Sequence, residues 1–351
     1  MRVTQSMLSH NSLRHIQNSY QKMGKLEEQL LTGKKVNRPS DDPVAAMKGI
    51  NYRSQVVQVE QYQRNLGEVY NWMDNTEAAL DEVNKVMQRI RDLTVQASTD
   101  SYDAEQRKNM ASEIKQLRNH LESIANTKVN NKYIFNGSDT SSKPVDLSKI
   151  DKEIDIATID ENNAKDYVLF SDNGQQLTWD EAAEAYKGKD GTSVKISDLP
   201  GDFMAKEKGA VSTNSDSVDI EVSQGIKLGV NSKPQAVFSL DLFSDLGKLI
   251  TALESPDTTG EELSKQIDMI DGHHGKVITE TAEIGAKYNR VEMVESRLTS
   301  QEVIAKSTMS KNEDIDAEKV IIELTSQEAL HRASLAVGAM IIQPTLVDFL
   351  R

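Results

Sequence analysis

From Leu13 the apolar positions run Leu13, Ile16, Tyr20, Met23 and Leu30, in steps of 3, 4, 3 and 7 residues. That spacing draws a narrow stripe along one helix, the seam of a coiled coil. The helix is expected to stop near Gly33, which suits a C-cap. Asn37-Arg38-Pro39-Ser40-Asp41-Asp42-Pro43 follows, a turn in which Asp42 is expected as N-cap and Pro43 as the first residue of a new helix. That second helix is expected to run to about Ser98, on the order of 80 Å at 1.5 Å per residue. Along it Val69, Met73, Thr76, Leu80, Val83, Met87, Ile90, Thr94 and Ala97 alternate steps of 4 and 3. A helix this long needs partners to bury such a stripe. A third helix carries Met110, Ile114, Leu117, Leu121 and Ile124, and its short connection makes it an antiparallel neighbour of the second.

After Asn136-Gly137 the pattern changes. Ile154–Ile156 and Tyr167–Phe170 read as strands, and Thr178–Tyr186 as a short helix started by a threonine cap. Val218–Val222 and Ile226–Val230 form the clearest hairpin. From Asp241 helical spacing returns in Leu242, Leu246, Leu249, Ile250 and Leu253. A long helix is expected over about 261–310, with Val277, Thr281, Ile284, Tyr288, Val291 and Leu298 on one seam. A last helix is expected over about 316–340, with Val320, Ile321, Leu324, Leu330, Leu335 and Val337 among its apolar positions. The fold class is therefore mainly α: an elongated helical bundle or coiled coil built by both chain ends, around an α+β, β-rich central insert.

Composition sharpens this. Of the 351 residues 37% are hydrophobic and only 5% aromatic, which fits elongated helical packing better than one large globular core. The net charge of -14 is uneven: residues 1–55 hold nine Lys/Arg against four Asp/Glu, and residues 139–262 twelve against twenty-five. So acidic a middle repels phosphate, so no nucleic acid is expected as a partner. No cysteine is present, so disulfide and thiolate chemistry are excluded. The N-terminal MRVTQSMLSHNSLRHIQ lacks the apolar run of a cleaved signal peptide, and no stretch is apolar for 18 residues, so no membrane insertion is expected.

No phosphate-binding glycine loop, nucleophile elbow or HExxH stands in the chain. His273-His274 is the one pair that invites a metal, but adjacent helical residues point about 100° apart and no third ligand follows at helical spacing; both are expected to be solvated or near a loop. Asp41-Asp42 reads as capping rather than as a catalytic pair. Gln88–Leu93 presents polar positions away from the seam, either a solvated face or a subunit contact. No catalytic residue, cofactor or metal is expected.

The runs LLTGKKVNRPSDDPVAA (Leu30–Ala46), NWMDNTEAALDEVNKVMQRIRDLTVQAS (Asn71–Ser98), EIKQLRNHLESIANTK (Glu113–Lys128) and IGAKYNRVE (Ile284–Glu292) resemble both terminal thirds of the bacterial flagellin family. Pro39 and Pro43 flanking the acids, Asn131-Lys132-Tyr133-Ile134-Phe135-Asn136-Gly137, and the ending Leu346-Val347-Asp348-Phe349-Leu350 resemble the branch of that family found between hook and filament. The resemblance implies a self-assembling structural subunit of that junction, with filament flagellin or a non-flagellar helical scaffold rod as alternatives. It further implies an extracellular flagellar location reached by type III export, and as partners copies of the chain, another hook-associated protein and flagellin on either side, and an export chaperone.

Four regions are expected: 1–40 with 311–351 as a terminal coiled coil, 41–138 with 260–310 as a helical core, 139–240 as an outer β-rich insert, and 241–259 as a return helix. The expected assembly seam is Leu13, Ile16, Tyr20, Met23, Leu30, Ile321, Leu324 and Leu335. The expected core turn is Pro39, Asp41, Asp42 and Pro43.

Overall fold

The computed structural model describes residues 5–99, 102–152, 154–160, 163–170, 176–188, 191–196 and 203–342. The C-terminal run Leu346–Leu350, whose resemblance is noted above, lies outside these residues. The chain divides into two compact units, residues 1–61 with 297–351, and residues 62–296; the divisions fall within α2 (Pro43–Ala97) and α7 (Gly260–Glu313).

In the larger unit the seam of α2 is dry. Val69, Met73, Thr76, Leu80, Val83, Met87, Ile90, Thr94 and Ala97 all have no exposed surface. The two threonines tolerate this because Thr76 Oγ1 donates to Trp72 O at 2.9 Å and Thr94 Oγ1 to Ile90 O at 2.8 Å, so neither of these hydroxyls is left unsatisfied. α3 (Ala104–Ala125) opens with a capping box, Asp103 accepting from Gln106 N while the Gln106 side chain accepts from Asp103 N. It runs antiparallel to α2, as the short connection predicts: Arg89 pairs with Glu113 at 2.7 Å, and seven residues earlier on α2 Glu82 meets His120 at 3.0 Å. α7 is antiparallel to α2 as well, with Tyr70 Oη donating to Glu295 at 2.7 Å and Asn84 to Thr281 Oγ1 at 3.4 Å. Its Val277, Ile284, Val291 and Leu298, a full heptad apart, are buried. α6 (Leu240–Glu254), capped by Ser239, packs on α3 through Leu242, Leu246, Leu249 and Leu253.

Leaving α3 the chain makes a hairpin, β1 (Lys128–Val129) to β2 (Lys132–Tyr133). Asn130 and Asn131 both take positive φ, 50° and 63°, which a two-residue type I′ turn requires. Ile134, Phe135 and Asn136 then dive into the core, Phe135 meeting Phe238 edge-on at 5.0 Å. Gly137 follows at φ 58°, where a Cβ would lie 2.9 Å from Asp216 O, so no other residue fits.

The insert carries the short helix α4 (Leu147–Ile150) and a five-stranded antiparallel sheet in the order β6-β5-β4-β3-β7. Its strands are β3 (Tyr167–Phe170), β4 (Gln176–Asp180), β5 (Ala185–Gly188), β6 (Ser193–Lys195) and β7 (Met204–Glu207). Thr178–Tyr186 is thus not a helix. Trp179 and Tyr186 stand opposite one another across β4 and β5 with ring centroids 5.2 Å apart, and Glu184 turns the chain at φ 48°. Pairing and aromatic burial override the helix preference of Glu-Ala-Ala-Glu-Ala. Ile154–Ile156 is not a strand either: Ile154 forms a single bridge to Ala205, and a 3-10 turn capped by Asp155 covers Ile156–Thr158. Both expectations failed on short runs, where local pattern is weakest. The hairpin β8 (Asp219–Ser223) to β9 (Ile226–Gly229) forms as read, and the short helix α5 (Pro234–Val237) leads into α6.

In the smaller unit α1 (Gln5–Thr32) and α8 (Ala317–Ile342) lie side by side, and the first turns of α2 meet the last turns of α7. Arg53 pairs with Glu313 at 2.8 Å and, seven residues along each helix, Glu60 approaches Lys306 at 3.6 Å.

Candidate functional site

The smaller unit leaves its apolar surface open. Of the twenty-two large apolar side chains exposed among the described residues, eighteen lie in residues 1–61 and 297–351. That concentration makes the terminal helices the candidate site, since apolar surface of this kind marks a docking region.

α1 and α8 run antiparallel. Ile16 sits against Gly338, where a Cβ would come within 3.2 Å of Ile16 Cδ1. Tyr20 and His331 have ring centroids 6.0 Å apart, and Gln327 Nε2 donates to Ser19 Oγ at 2.9 Å. The inward positions are Ser12, Ile16, Ser19, Met23 and Leu26 on α1, and Val320, Leu324, Gln327, His331, Ser334 and Gly338 on α8. Each set steps by 4 and 3 residues. The expected seam is therefore split. Ile16, Met23 and Leu324 are half-buried between the helices, but Leu13 (47% exposed), Leu30 (36%), Ile321 (47%) and Leu335 (48%) are largely open, and Tyr20 (66%) meets α8 at the His331 ring. The contact uses serine, glutamine and glycine, which let the backbones approach, so apolar periodicity alone pointed one residue to the side. Ser12 and Ser19 precede Leu13 and Tyr20 by one position, about 100° around the helix. The back of α8 carries its own heptad row, Ile322, Ser326, Ala329, Ala333, Ala336 and Met340, all exposed. A helix apolar on opposite faces is one that expects neighbours on both.

The turn over residues 38–43 is built from local hydrogen bonds. Asp41 N donates to Arg38 O at 2.9 Å with Pro39 inside the turn. The Asp41 carboxylate accepts from Arg38 N at 3.2 Å and meets Lys25 Nζ at 3.2 Å. Lys25 above all, with the Arg38 amide, holds the Asp41 carboxyl below its ordinary value. Asp42 Oδ1 accepts from Val44 N at 3.0 Å and Ala45 N at 2.9 Å, with Pro43 as the first helical residue.

Beside this turn lies a group of residues that sequence reading missed. Gly33, at φ 68°, ends α1, its N–H donating to Gln29 O at 2.9 Å. From there the two connections pair: Lys35 N donates to Glu313 O at 2.6 Å, and Ile315 N to Gly33 O at 3.1 Å. Glu313 is 5% exposed. Its Oε1 accepts from Arg53 Nε at 2.8 Å and its Oε2 lies 3.4 Å from Lys34 Nζ, which also binds Asp314 at 2.6 Å. A Cβ on Gly49 would stand 2.5 Å from Glu313 Oε1. Glycine inside a helix costs about 1 kcal/mol relative to alanine, and here it opens the space the carboxylate fills. Asn312 Nδ2 closes the group by donating to Ala45 O at 2.9 Å. The sequence signal was Gly49, a lone glycine inside a long helical pattern.

Elsewhere the chemistry is structural. His273 is not solvated: it is buried mid-helix in α7, its Nε2 2.8 Å from Asp245 Oδ2 on α6. The helical pattern around it placed it on α7, but only packing turned it toward α6. In Gln88–Leu93 the seam residues Ile90 and Leu93 are buried and Gln88, Arg89 and Asp92 exposed, with Arg89 bound to Glu113 at 2.7 Å and Arg91 to Asp271 at 2.6 Å within the chain. No group of three or more His, Cys, Asp or Glu is placed to hold a metal among the described residues, and no described helix is long and apolar enough to cross a membrane.

Residues 3–140 match the family described as the bacterial flagellin N-terminal helical region. The chain is 24% identical to a flagellin of Bacillus subtilis over 97% of its own length and 95% of that protein's. It is 24% identical to flagellar hook-associated protein 3 of Salmonella typhimurium, covering 95% of each chain. Among solved structures, that of a flagellar hook-associated protein from Vibrio parahaemolyticus superposes with a TM-score of 0.56 at 18% identity, covering 78% of this chain and all of that one. The last likeness is one of fold.

Proposed function

We infer that this chain, which carries a flagellin N-terminal helical region and aligns nearly end to end with hook-associated protein 3, is a structural subunit of the bacterial flagellum at the junction between hook and filament. It works by docking against copies of itself, not by catalysis. The observation that carries this is the open apolar surface of the terminal helices: Leu13, Tyr20, Leu30, Ile321 and Leu335 are exposed in the single chain. Burying one such side chain contributes about 1.5–3 kcal/mol, so a few of them suffice to drive association once neighbours arrive. The half-buried Ile16, Met23 and Leu324 hold the pair together meanwhile. In this reading the terminal pair, residues 1–40 with 311–351, is the assembling part. Another hook-associated protein and flagellin adjoin it on either side, and the chain reaches the outside of the cell by the flagellar export route with a chaperone shielding its apolar ends.

Electron microscopy of a strain lacking the chain tests this reading. Hooks without filaments, with flagellin in the medium, are expected; normal filaments overturn it. Filament flagellin is a second reading, favoured by the Bacillus subtilis relative, which aligns as fully as hook-associated protein 3 does. Purified subunits that polymerise unaided into long tubes would select it.

A further inference from the structure

We propose that Glu313 is a proton-operated latch that fastens the terminal helix pair to the facing ends of α2 and α7, and that neutralising its carboxylate releases the pair. The placement is what argues for a latch. Glu313 is the last residue of α7 and stands where both chain connections pass. Its backbone oxygen takes the Lys35 amide from the connection leaving α1, while Ile315, two residues on, gives its amide to Gly33. Its side chain reaches Arg53 on α2 across the gap left by Gly49, and Lys34 on the connection leaving α1. One residue thus joins α1's exit, α2's entry and α7's end.

The charges facing it are Lys34 from the α1–α2 connection, Arg53 from α2, Asp314 from the α7–α8 connection, and Arg38 across a small cavity that Glu313 also lines. Lys34 is shared between Glu313 and Asp314. With Glu313 neutral, Arg53 loses its anionic partner, and a buried group held by two cations becomes one held by none. Burial alone pushes the Glu313 carboxyl up, but the hydrogen bonds and charges of Arg53 and Lys34 outweigh it and leave the group below its ordinary value. A depressed folded value means that the stabilisation is present above the unfolded carboxyl's range and is lost as pH falls through the folded value. The latch is shut at neutral pH and opens only in acid. Its consequence for assembly rests on the function inferred above; the latch itself does not.

Amide hydrogen exchange on the free, full-length chain tests it without calling on assembly. Protection factors, corrected for the intrinsic pH dependence of exchange, are read at Lys35 and Ile315, with α3 as an internal reference. In the wild-type chain both are expected to fall at least tenfold as pH drops from 6 to 3. Glu313→Gln is expected to lose that protection already at pH 7, show no further step, and keep α3 protected. Gly49→Ala, which crowds the carboxylate out while keeping its charge, is expected to do the same. Wild-type protection at both amides in Glu313→Gln overturns the proposal. So does loss of protection in Gly49→Ala alone, which would make Glu313 a space-filling contact rather than a charged latch.

Discussion

Gln327 on α8 donates a 2.9 Å hydrogen bond to Ser19 on α1, and Ser19 is buried, 8% exposed, at the middle of the pair. A buried polar bond in this contact fixes axial register, because any slip leaves both groups unpaired. The terminal pair is thereby held along its length through small and polar residues, and several of its large apolar residues stay exposed.

Ser19→Val removes the acceptor and leaves the Gln327 amide without it. A loss of about 1 kcal/mol is expected in the α1–α8 pair alone. Amide exchange across α1 and α3 is the check: α1 should exchange about fivefold faster with α3 unchanged, and equal rates in α1 would reject the register role.

Leu335→Asp should separate assembly from folding. Leu335 is 48% exposed in the single chain, so the monomer should change by no more than about 0.5 kcal/mol. Sedimentation of the variant should show no assemblies under conditions where the wild type forms them, with identical circular dichroism. Assembly at wild-type level would remove this side of α8 from the interface.

Leu80→Ala should act in the opposite sense. Leu80 has no exposed surface on α2, and emptying its place costs about 2–5 kcal/mol. Urea unfolding should shift accordingly; a shift below about 1 kcal/mol would mean the α2 seam is not tightly packed.

The insert should be sensitive to alkali. Burial, with Tyr167 nearby as a lesser cause, pushes the Tyr186 phenol from 10.0 up to about 12; its hydroxyl donates to Ala164 O at 2.9 Å. A raised folded value means that stability is complete below the unfolded value near 10 and is lost as pH rises toward 12. Trp179, whose ring meets Tyr186, reports it by fluorescence in a Trp72→Phe background. Melting of the insert between pH 10 and 12 is expected, and Tyr186→Phe should abolish the step; the same step in that variant would assign it to another group.

The long helices were legible because each repeats one instruction over many turns. Val69 through Ala97 alternate 4 and 3 without interruption, and all nine positions proved dry. Asp42-Pro43 wrote its own cap, since capping is a matter of adjacent residues. Only the tertiary structure decided what depends on residues distant in the chain. Thr178–Tyr186 became two strands because Trp179 found Tyr186 and β3 lay alongside. Ser19 rather than Tyr20 is the residue buried against α8, because closeness to α8, not hydrophobicity, chose the face. Glu313 reads as one more solvated acid at a helix end, and nothing local says that Arg53, Lys34 and Gly49, more than 250 residues earlier, close around it. Periodicity determines where helices form and which face is apolar; it carries no term for the partner, and partners decide burial, charge state and register.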